Sequence, residues 1–86
     1  MSDVQRLKEQ LHQLAGEAKQ AAGGLSGFRS GFVQHIAQVQ GLISGTSTGV
    51  DRDIAEVLDA ASKAVEQAVA ALQAAADGCN GYADRI

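Results

Sequence analysis

The stretch GGLSGFRSGF, Gly23 to Phe32, carries four glycines in ten residues and repeats Ser-Gly-Phe at 26–28 and 30–32. Its composition is that of a loop, because glycine loses more backbone freedom on ordering than any other residue. Its periodicity is that of a helix. Apolar residues recur at Val4, Leu7, Leu11, Leu14, Ala18, Ala21, Leu25, Phe28, Phe32, Ile36, Val39 and Ile43, always in steps of three or four. Such spacing keeps one helix face apolar, close to a 3.5-residue repeat. A loop of arbitrary length resets the phase, and no reset occurs here. The spacing predicts one helix over about 3–43, running through the glycines with or without a kink near Gly23-Gly24. Two shorter helices joined by a flexible joint are the alternative. Each interior glycine costs about 1 kcal/mol relative to alanine, so some contact has to offset them. Gly24, Gly27 and Gly31 lie along one flank of the stripe, where bare backbone permits close approach of another chain segment.

Upstream, Ser2-Asp3-Val4-Gln5 fits a capping box that starts the helix at Ser2. Downstream, SGTSTGV (Ser44 to Val50) is a clear break, with two glycines and three consecutive hydroxyl residues. It predicts a turn over 44–50, with Ile43 and Gly45 at the end of the first helix. A second helix is expected over about 51–77, capped by Thr48 or Asp51. Acids at Asp51, Asp53 and Glu56 complement its dipole. Its stripe reads Ile54, Leu58, Ala61, Val65, Ala68, Leu72, Ala75, Cys79, Tyr82 and Ile86. Gly78 and Gly81 weaken the end, so the tail 78–86 is expected to fray or to order only against a partner.

Eighty-six residues make one small domain, rich in good helix formers and without proline. The class implied is all-α, an antiparallel two-helix hairpin. A single cysteine, Cys79, excludes an internal disulfide and a cysteine zinc site. The net charge is −3, with the acidic excess in the second half. There is no basic stripe, which argues against nucleic-acid binding. No apolar run reaches membrane-spanning length. The polar start MSDVQRLKEQ has no signal-peptide hydrophobic region. The expected location is cytoplasmic, or exported without a cleaved signal.

Both helices are apolar over more than one stripe. Ala55, Val57, Ala60, Ala64, Val69, Ala71 and Ala74 widen the second, and Val33, Ala37 and Leu42 the first. A helix apolar over that width is expected to be covered on two sides. Two hairpins paired as a four-helix bundle satisfy this, whether as a homodimer or a heterodimer. A monomer exposing a broad alanine face is the alternative.

Chemistry is sparse. His12 reads as surface and His35 as a bundle-edge residue, neither with carboxylates or a thiol at metal-ligand spacing. Cys79 sits at a core position with no identifiable base. No phosphate loop, nucleophile elbow or dinucleotide fingerprint is present. Neither an enzyme nor a cofactor is expected.

A signal-less helical hairpin with a mid-chain Gly/Ser turn and an alanine-rich second helix resembles the W-x-G family, the small early-secreted-antigen-like proteins of type VII secretion. The likeness spans nearly the whole chain and is mostly architectural. Ile43-Ser44-Gly45 stands where that family has Trp-x-Gly, and the chain has no tryptophan. Tyr82 stands where its Tyr-x-x-x-Asp/Glu signal begins, but the fourth residue on is Ile86. The resemblance implies a signal-less chaperone or targeting partner. It would pair with another hairpin, or with the N-terminal region of a larger secreted toxin. Leu25, Phe28, Phe32, Ile36, Leu58, Val65 and Leu72 would carry that interface. A self-assembling homo-oligomeric structural protein and an immunity-type or regulatory helical binder are the competing expectations.

Overall fold

The computed structural model describes residues 2–43 and 50–86. They form two helices, α1 (Asp3–Ile43) and α2 (Val50–Arg85), packed against each other as an antiparallel hairpin. Among the described residues there is no strand. The hairpin is a rod of 68 × 16 × 13 Å. The 41 residues of α1 account for most of that length, at about 1.5 Å of rise each.

α1 begins where a side chain can take up its orphan donors. The backbone N–H of Gln5 donates to Ser2 Oγ at 3.3 Å, and Ser2 O accepts from Gln5 N at 3.1 Å. This is the N-cap arrangement that serine favours. Asp3 follows in the first turn, facing the positive end of the dipole. At the other end Ile43 closes α1. Gly45 and the rest of 44–49, including the candidate cap Thr48, lie outside the described residues.

The glycine stretch is helical throughout, and none of the described glycines has positive φ. What offsets its low propensity is the seam with α2. Leu25 and Phe32 are half-buried there. Arg29, on the same face, reaches across to α2, where its Nε donates to the Ser62 carbonyl at 3.3 Å. Phe28 and Phe32 stack one turn apart, with centroids 5.7 Å apart. The glycines themselves point elsewhere. A Cβ added at Gly24, Gly27 or Gly31 would meet nothing within 4 Å. Among the described residues nothing packs against them. Gly27→Ala and Gly31→Ala are each expected to stabilise the isolated chain by about 0.5–1 kcal/mol. A thermal melt reads this as a rise of a few degrees. A fall would show something packed on the bare backbone.

α2 corrects one boundary. The sequence ends it near 77 and leaves 78–86 as a tail, yet the helix runs to Arg85. The reason is packing. Ala76 and Ala83 are the deepest residues of this segment, 0% and 1% exposed, and Cys79 is half-buried between them. The first turns of α1 supply the other wall, so Gly78 and Gly81 are carried within a packed helix. Arg85 Nε donates to Gly81 O at 3.2 Å, taking up a carbonyl of the last turn.

The seam has a strict spacing. On α1 it is Leu11, Ala15, Ala18, Ala22, Leu25, Arg29, Phe32 and Ile36. On α2 it is Ala55, Leu58, Ser62, Val65, Val69, Leu72, Ala76, Cys79 and Ala83. All are buried or half-buried. Steps alternate between three and four, the heptad pattern of coiled-coil packing. The buried members are small: Ala15, Ala22, Ala76, Ala83 and Ser62. Among the described residues no large side chain is fully buried.

Candidate functional site

The seam has two flanks, and they differ in chemistry. On one flank lie the polar contacts that join the helices. His12 Nδ1 and Asn80 Oδ1 are 2.9 Å apart, and His12 Nε2 lies 3.9 Å from Asp84 Oδ1. Arg29 reaches Glu66 Oε2 at 3.1 Å. Shallow grooves on this flank are lined from both helices, one by Lys19, Ser26, Gln73 and Asp77, another by Val33, Gln40, Asp59 and Ser62. These contacts also fix the level of the two helices: Asn80 lies beside His12, and Ser62 beside Arg29.

The other flank is the opposite edge of the hairpin. In an antiparallel pair the residues that flank every second seam position on one side of α1 and their counterparts on α2 fall on the same edge. Here these are Leu7, Leu14, Ala21 and Phe28 from α1, and Ile54, Ala61, Ala68, Ala75 and Tyr82 from α2. Phe28 is 58% exposed, Leu14 52% and Tyr82 50%. Next to them runs the seam row made of Leu11, Ala18, Leu25 and Phe32 on α1 and Leu58, Val65, Leu72 and Cys79 on α2. All of these are only half-buried. Together these rows form a continuous apolar edge. None of these seventeen residues is charged, although 20% of the chain is.

The apolar stripes are thus not centred on the seam. On α2 every stripe residue from Ile54 to Tyr82 belongs to this open edge, and on α1 the same holds from Leu7 to Phe32. The hairpin contact uses one margin of each stripe and leaves the other facing out. In a four-helix bundle each helix points its stripe at the bundle axis, between its two neighbours. Here the stripes are rotated away from the hairpin's own seam.

Of the sequence-derived interface residues, Leu25, Phe28, Phe32, Leu58, Val65 and Leu72 come together on the open edge. Ile36 does not; it lines a groove on the polar flank with Ala55 and Asp59. Gly24, Gly27 and Gly31 face away from α2 and are exposed. The cross-helix polar contacts of His12 and Arg29 escape a reading based on apolar periodicity. Their signal was positional: Arg29 and Ser62 each occupy a seam step, and a long side chain opposite a short one can bridge. The Arg29–Glu66 pair is partly exposed and is worth about 0.2–1 kcal/mol. Glu66→Gln is expected to lower the melting midpoint slightly at low salt and to lose that effect at high salt.

Among the described residues no group of three His, Cys, Asp or Glu side chains could hold a metal ion. Among them, too, no helix is long and apolar enough to cross a membrane. Cys79 is a half-buried free thiol on the open edge. Asp59 pairs with Lys63 one turn on, at 3.2 Å, as an exposed helix-surface contact. No family model, curated protein or solved structure matches the chain.

Proposed function

We propose that this chain is a non-enzymatic binding protein, half of a four-helix bundle that works by packing its open edge against another helical hairpin. The observation that carries this reading is the offset between stripe and seam. Leu14, Phe28 and Tyr82 lie on the apolar stripes yet about half or more of each is exposed. Exposed apolar rows of this length, free of charge, mark association surfaces.

The likeness to the W-x-G hairpins supports a more specific role in type VII secretion. The chain would be a signal-less partner that keeps a second hairpin, or the helical start of a larger secreted toxin, folded until export. Its location would be the cytoplasm, with export only alongside that partner. Tyr82 sits on the open edge in this fold, which suits packing better than display as a sorting signal.

The experiment is to mix the purified chain with hairpins encoded by neighbouring genes and follow circular dichroism and melting. A binding half gains cooperative melting, or a higher midpoint, on pairing with a mate or with itself. A chain that melts cooperatively as a monomer, with a midpoint independent of concentration and of every candidate mate, would not be a half-bundle.

A further inference from the structure

No further inference is drawn: the strongest candidate, the uncharged apolar edge of the hairpin that carries Leu14, Phe28 and Tyr82, belongs to the site already described, and nothing in the structure shows what covers it.

Discussion

Ala76→Leu is expected to lower the thermal midpoint of the hairpin by about 5–20 °C. Ala76 is fully buried, and it faces the α1 segment around Ala15, itself 1% exposed. Alanine at both places lets the helices approach toward the lower end of the usual 8–10 Å range. Three extra heavy atoms have nowhere to go unless the helices separate, which would also uncover Ala22 and Ala83. Overpacking of this kind costs about 1–3 kcal/mol, and a domain of this size loses about 4–8 °C per kcal/mol. Ala74→Leu, two residues away on an exposed face, is the control. It should change stability by no more than about 0.5 kcal/mol. Equal melting of the two variants would mean that the seam does not run through Ala76.

The second large effect belongs to the open edge. Leu14→Glu combined with Phe28→Glu leaves the alanine seam untouched, since both side chains are more than half exposed. Full burial of such a side chain contributes about 1.5–3 kcal/mol, and pairing can cover only the half still exposed on each. Losing both weakens association by about tenfold or more, from roughly 1.5 kcal/mol at the lower limit. A carboxylate forced against an apolar partner adds to that loss. Gln20→Glu with Gln34→Glu makes the same change in charge away from the edge and should leave association intact. Mass by light scattering, with helicity by circular dichroism, separates loss of pairing from loss of fold. Two-chain mass retained in the edge variant would place the interface elsewhere.

The helices were legible because the apolar steps of three and four never slip. That regularity carries α1 through Gly23–Phe32, against the local composition. It was less informative about rotation. A stripe says that a face is covered but not by which neighbour, and here the seam takes only its margin. Leu14 and Phe28 belong to the stripe and are exposed, while Ala15, Ala22 and Arg29, off the stripe, lie in the seam. The preference for alanine in the seam was the signal: helices close where side chains are small, and the large residues are left beside the contact. The end of α2 was misjudged for a related reason. Gly78 and Gly81 look like breakers locally, but Ala76, Cys79 and Ala83 continue the seam against the start of α1, and packing outweighs propensity. The polar ties of His12 and Arg29 depend on the level of one helix against the other, which no single-helix pattern contains.

X-ray scattering over a concentration series, on the chain alone and mixed with the neighbour-encoded hairpins, tests most directly whether the open edge is covered. One hairpin has a Cα radius of gyration of 19.4 Å. Two hairpins laid edge to edge with axes about 10 Å apart keep the length of the rod and raise that value only to about 20 Å. The expected result is a forward intensity corresponding to two hairpins, alone or in one of the mixtures, with a nearly unchanged radius and a thicker cross-section. A single-chain intensity at 19.4 Å, persisting to the limit of solubility and in every mixture, would leave Leu14, Phe28 and Tyr82 in water and contradict the half-bundle reading.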